Sequence, residues 1–208
     1  MTTSLTLEHV ATYPLPGMAV PGALTFSPDD RLVAYLHSPD GGLSRQLLAF
    51  DPQTAVSRPL ISPPNGGNTD DTVSLEEALR RERLRQRETG VTQYAWSRQG
   101  HLLVPLNGNL YVQDGPDAAL RLLLAGDDAA PILDARFSPD GAHVAFVQDA
   151  ELYAIPTAGG APRQLTSGAR GTGQTHGLAE YVAQEEMARR SGYWWSPDGR
   201  YLAFARVD

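Results

Sequence analysis

The chain has 208 residues, 41% of them hydrophobic and 20% charged, with a formal net charge of -7 and no cysteine. This is the composition of an ordinary globular sequence, and its scattered acids argue against a nucleic-acid partner, which calls for basic residues gathered on one face. The missing cysteines exclude disulfides, thiolate zinc sites and a Cys nucleophile.

The N-terminal stretch MTTSLTLEHVATYPLPG has no basic start and no apolar run of signal-peptide length. No later stretch is long enough to span a bilayer. A cytoplasmic protein is therefore expected, which also fits the absence of cysteine.

The first element is a hairpin, Phe26-SPDD-RLVAYL, in which an aromatic residue closes one strand, a Ser-Pro-Asp turn reverses the chain, and apolar residues alternate in the next strand. A second hairpin follows as LLAFDPQTAVSRPL. The same pair recurs as Trp96-SRQG-HLLVPL with LYVQDGPDAALRLL, and as Phe137-SPDG-AHVAFV with LYAIPTAGGAPRQL. A fourth copy opens as Trp195-SPDG-RYLAFA. Two hairpins make a four-stranded antiparallel unit, and repetition of such units is the signature of propeller blades. The expected fold is all-β: a partial β-propeller of about three blades plus the start of a fourth.

The shared serines Ser27, Ser97, Ser138 and Ser196 lie 70, 41 and 58 residues apart. The middle spacing is the plain repeat, so the other two hold insertions, which repeat proteins project as loops from one face. The first insertion, about 74–89, predicts a helix: Ser74 and Glu77 form a capping box and Gly90 is placed to end it. It carries Arg80, Arg81, Arg83, Arg85 and Arg87 among four glutamates, with Leu75, Leu79 and Leu84 as a thin apolar stripe. That pattern suits a solvated helix held by Glu/Arg pairs, or a flap offering forked donors to a peptide's oxygens.

The second insertion, about 168–193, begins with a Gly/Thr loop, GARGTGQTHG, read as flexible, and runs through Leu178-AEYVAQEEMARRSGYWW. Adjacent helical side chains point about 100° apart, so Glu185 and Glu186 can face one cation only near a helix end or turn. Tyr181, Tyr193, Trp194 and Trp195 are expected to surround the pair and exclude water, although Trp195 also occupies the repeat's core aromatic position. The histidines, His9, His37, His101, His143 and His176, show no partner pattern that marks a general base.

The segment GLAEYVAQEEMARRSGYWWSPDGRYLAFARVD, together with EEALRRERLRQRETGVTQY, resembles the N-terminal propeller of bacterial dipeptidyl peptidase IV-type serine peptidases, in the prolyl oligopeptidase superfamily. It is similar also to the cytosolic dipeptidyl peptidase 8 and 9 branch. The resemblance implies that Glu185 and Glu186 bind the free α-ammonium of a peptide, setting release of an N-terminal dipeptide of the Xaa-Pro type. It implies further that the arginine helix gates access, with Arg81 and Arg85 touching the peptide. Family members carry their nucleophile in a Gly-x-Ser-x-Gly elbow of an α/β-hydrolase domain, and no Gly-x-Ser-x-Gly occurs within these residues. No catalysis by the chain alone, no cofactor and no metal are therefore expected. The expected partners are peptides with a free N-terminus and, through open blade edges, other copies of the chain. The rival reading is a non-enzymatic partial propeller that serves as a peptide- or protein-interaction module.

Overall fold

The computed structural model describes residues 4–12, 20–62, 82, 88–127 and 129–208. A short helix, α1 (Leu7–Ala11), starts the chain where none was expected; Thr6 caps it by accepting from the His9 amide. The main strands follow the hairpin pattern. Strands β1 (Gly22–Phe26), β2 (Val33–His37), β3 (Ser44–Asp51) and β4 (Val56–Ile61) form one antiparallel meander. Strands β6 (Ala95–Trp96), β7 (Leu102–Leu106), β8 (Asn109–Gln113) and β9 (Leu120–Leu124) form the second. The third holds β10 (Leu133–Phe137), β11 (His143–Gln148), β12 (Glu151–Pro156) and β13 (Arg163–Gln164). A final hairpin pairs β15 (Tyr193–Trp195) with β16 (Leu202–Phe204). The fold is all-β, built of four-stranded antiparallel blades as the repeat predicts. The chain divides into two compact units, the first holding β1–β4 and a short β5 (Thr89–Gly90), the second the remaining strands.

The repeated serine explains why every copy turns at the same place. In each of the four turns the serine carbonyl accepts from the amide three residues on, at 2.8–3.1 Å. The serine hydroxyl accepts from the amide at or just before the start of the returning strand, at Leu32, His101, His143 or Tyr201. In three copies the hydroxyl also donates to the aspartate two residues on: Asp29, Asp140 and Asp198. Such donors hold all three carboxyls below the usual aspartate range, the serine hydroxyl being the largest cause. The Ser97 turn has Gln99 in place of the aspartate and is one residue shorter.

A second regularity was not legible in the sequence. Ala23 and Asp134, each three residues before the repeat aromatic, have φ of 51° and 48°, and the register of β1 with β2 and of β10 with β11 shifts there. The first and third blades therefore enter through a bulge that re-aims the strand.

The core of the second unit lies between sheets. Leu103, Leu110, Val112 and Leu123 of the second blade pack on Val144, Phe146 and Ile155 of the third, with Phe137 against them. The alternate residues of β11, Ala145 and Val147, pack with Leu152 on Tyr193 of the final hairpin, joined by Leu178, Trp195 and Leu202. One strand thus serves two seams, which is why Val144–Val147 is a continuous apolar run, buried on both sides. Burying each large side chain here contributes about 1.5–3 kcal/mol. At the edge of the first seam, the Arg121 guanidinium grips Asp114 with two bonds of 3.0 Å and reaches on to the Thr157 carbonyl.

Glu82 is helical, but Thr89 and Gly90 form β5, which pairs in parallel with Ser44 and Arg45 of β3. The expectation that the first insertion runs as helix to Gly90 is corrected there. Gly90 has φ +74°, and a Cβ on it would lie 2.5 Å from the Arg45 carbonyl oxygen, so the close approach of the two strands requires glycine. The rest of the expected helix, including Arg81 and Arg85, lies outside the described residues.

Candidate functional site

The second insertion leaves the third blade after β13 and returns to the final hairpin, and its geometry starts at Glu151. This residue opens β12, directly after the two-residue turn Asp149–Ala150, in which both φ angles are positive. Its carboxylate, 1% exposed, accepts from Thr166 Oγ1 at 2.6 Å, from the amides of Ala169 at 2.6 Å and Arg170 at 3.3 Å, and meets His176 Nδ1 at 2.9 Å. Burial alone would raise the Glu151 pKa, but these hydrogen bonds outweigh it and bring it down to about 2. The Gly/Thr loop is therefore not free, as its composition suggested. It is closed on a buried carboxylate at both ends, with Ala169 fully buried.

His176 lies in β14 (Thr175–His176), paired antiparallel with β17 (Arg206–Val207). Its amide donates to the Ala150 carbonyl at 2.8 Å, and the next amide, Gly177, donates to the Ala205 carbonyl at 2.9 Å. The imidazole also meets the Phe204 ring edge-on at 5.3 Å. The segment is thus held between the third blade and the final hairpin before it reaches the acidic pair. At Gly192 a Cβ would lie 2.2 Å from the Leu178 backbone, so the strand leading into the hairpin can pass under this segment only as glycine.

Beyond Leu178 and the buried Ala179, helix α2 (Tyr181–Glu185) is capped by the Glu180 side chain, which accepts from the Ala183 amide at 3.0 Å. Gln184 Nε2 donates to the Ala179 carbonyl at 2.6 Å. Glu185 is the last residue of α2, and Glu186 is its C-cap in right-handed helical geometry, donating to the Val182 carbonyl. The two carboxylates therefore stand at a helix end, where adjacent side chains can converge. Both are exposed, and among the described residues neither accepts a hydrogen bond or pairs with a cation. After them, the Arg189 amide returns to the Ala183 carbonyl at 2.9 Å, and the Arg189 guanidinium lies 6.0 Å from the Trp194 ring.

The aromatic residues do not enclose the pair as expected. Strand alternation turns Tyr193 and Trp195 inward to the seam with the third blade and leaves Trp194 outward, while Tyr181 is exposed on α2. Tyr193 is fully buried and its phenol donates to the carbonyls of Asp134 and Ala145. Among the described residues no cluster of three or more His, Asp or Glu is arranged to hold a metal.

A family model described as the dipeptidyl peptidase IV N-terminal region matches residues 82–208, more than half of the chain and all of the segment described above. The chain belongs to this family. Human "Prolyl endopeptidase FAP" is 36% identical over 79 residues, covering 38% of this chain and 10% of that protein. "Probable dipeptidyl peptidase 4" of Aspergillus fumigatus is 35% identical over 99 residues, 47% of this chain and 12% of the relative. These alignments span roughly a tenth of each relative's length. The crystal structure of Porphyromonas gingivalis dipeptidyl peptidase 4 matches with a TM-score of 0.61 and 18% identity, over 92% of this chain and 26% of that one, which establishes a shared fold.

Glu151 and its contact with His176 were missed in the sequence. The two are 25 residues apart and belong to no motif. The one available signal was a glutamate at the first position of a strand that is otherwise apolar.

Proposed function

We propose that the chain is the N-terminal part of the propeller domain of a serine dipeptidyl peptidase that releases N-terminal Xaa-Pro dipeptides. In this reading residues 1–208 bind and admit the peptide and perform no catalysis themselves. Glu185 and Glu186 receive the peptide's α-ammonium, and Arg81 and Arg85 of the first insertion contact the bound chain. The observation that carries the reading is the placement of two adjacent carboxylates, without a partner among the described residues, at the C-terminal end of α2, on a segment tied down on both sides.

The chemistry follows from charge and geometry. An ammonium has three donors, and two converging carboxylates give it charge-assisted hydrogen bonds that a neutral, acylated amine cannot replace. The same unpaired charge disfavours an internal peptide segment, so selection for a free N-terminus comes from repulsion of alternatives as much as from attraction. Family membership and the relatives' printed names support a peptidase context.

Calorimetric titration of the chain with Gly-Pro-amide and with its N-acetylated form tests this directly. Binding of the free amine alone, abolished by Glu185→Gln or Glu186→Gln, is the expected result. Equal affinity for the acetylated ligand, or indifference to both substitutions, overturns it. A second reading, a non-enzymatic interaction module, is favoured by the exposed Trp194, Tyr201 and Phe204 on the final hairpin. It predicts binding by the chain but no cleavage of a chromogenic Gly-Pro amide by any longer product of the same reading frame.

A further inference from the structure

From the closure of the Gly/Thr loop on Glu151 we infer that Glu151 and His176 are positioning residues for the Glu185–Glu186 pair. This rests on the reading of that pair as an ammonium site. Neither residue belongs to α2, yet both hold the chain that leads into it.

Glu151 gathers one donor from just before the Gly/Thr loop, Thr166, two amides from the loop's first turn, Ala169 and Arg170, and one ring nitrogen from the loop's end, His176. Thr166 Oγ1 in turn accepts from the Leu152 amide at 2.9 Å, so the loop's base is stitched to β12 itself. An outer pair, Arg170 with Asp149, covers the same corner. From His176 the chain has only Gly177, Leu178 and Ala179 before the cap residue Glu180. Gly177 is fixed to Ala205, while Leu178 and Ala179 are packed inward. The position of α2 is therefore set by the carboxylate 1% exposed beneath it, with little slack between the two.

The arrangement also fixes a tautomer. An ionised Glu151 can only accept, so His176 must carry a proton on Nδ1 whether its ring is neutral or charged. A purely space-filling histidine has no such requirement. An asparagine can present a donor at nearly the same place, whereas leucine cannot.

The experiment combines three measurements on the 208-residue chain. Nitrogen-15 NMR of the wild type should find His176 protonated at Nδ1; a neutral ring protonated only at Nε2 overturns the inference. Glu151→Gln and His176→Leu should each weaken binding of Gly-Pro-amide about tenfold or more, and His176→Asn should recover most of the loss. If the wild type binds and Glu151→Gln binds equally well, the positioning role is wrong while the ammonium site stands. If the wild type does not distinguish the free from the acetylated dipeptide, the ammonium reading fails. The positioning role is then decided by amide exchange at Ala183 and Arg189: faster exchange in Glu151→Gln, with β11 still protected, supports it, and unchanged exchange overturns it.

Discussion

The Tyr193 phenol donates to the Ala145 carbonyl oxygen at 2.7 Å, across the seam between the final hairpin and the third blade. The same hydroxyl also serves the Asp134 carbonyl at the β10 bulge. One oxygen thereby joins a bulge, a central strand and the last hairpin. Tyr193→Phe keeps the ring's packing but removes the one proton that the two carbonyls share, and should cost about 1–3 kcal/mol in urea unfolding. Tyr193→Ala should cost more, about 3–5 kcal/mol, because it also opens a cavity in the seam. Burial, reinforced by the Asp134 charge, pushes the phenol well above its ordinary value. Its contribution is therefore complete below about pH 10 and lost as the pH rises beyond. An alkaline titration should find this tyrosine still protonated after the exposed ones have ionised.

Acid should act through Glu151. Its pKa falls from 4.5 to about 2 on folding, so its contribution is present above pH 4.5 and disappears as the pH drops towards 2. The linked stabilisation is about 3 kcal/mol. Glu151→Gln should be less stable at pH 7 and should flatten the acid limb of the stability curve between about pH 5 and 2. A limb as steep as that of the wild type would assign the acid sensitivity to other carboxylates.

Gly90→Ala places a Cβ against the Arg45 carbonyl at a backbone angle that alanine adopts at a cost. The nearby Arg45–Glu88 ion pair, 2.7 Å long and about one-fifth exposed on each side, depends on the same pairing of β5 with β3. The substitution should destabilise the first unit by about 2 kcal/mol or more. Native-state hydrogen exchange at Val91, whose amide donates to the Arg45 carbonyl, reads the change locally.

Self-association is expected from exposed apolar residues at repeat positions that are covered elsewhere. Phe137 and Trp195 pack against the preceding blade, whereas Phe26, at the same position of the first copy, is 65% exposed. Phe204 is likewise exposed where its counterpart Phe146 is buried, and Tyr201 of the same hairpin is exposed as well. Light scattering should find a mass that rises with concentration, and Phe26→Glu or Phe204→Glu should reduce it. A single monomeric mass at high concentration would set this expectation aside.

The hairpins were legible because a Ser-Pro-Asp-Gly turn makes its own hydrogen bonds within six residues, so sequence and geometry are the same local fact. Glu185 and Glu186 were legible as a pair, and their place at a helix end followed from side-chain direction along a helix. The aromatic shell around them was misjudged because the alternation of β15 had to be known before Tyr193 and Trp195 could be turned inward. Glu151 with His176, and the pairing of β5 with β3, depend on residues 25 and 45 positions apart, brought together only in the folded chain. No local period records such contacts.

The double duty of β11 sets how damage spreads through the second unit. Across the blade boundaries, Val144 and Phe146 face the second blade, and Ala145 and Val147 face the final hairpin. A substitution on one side can loosen its own neighbour while the other side keeps its full contact. Cooperativity then passes from one blade to the next as between links of a chain, and unravelling can begin at the final hairpin and halt at β11.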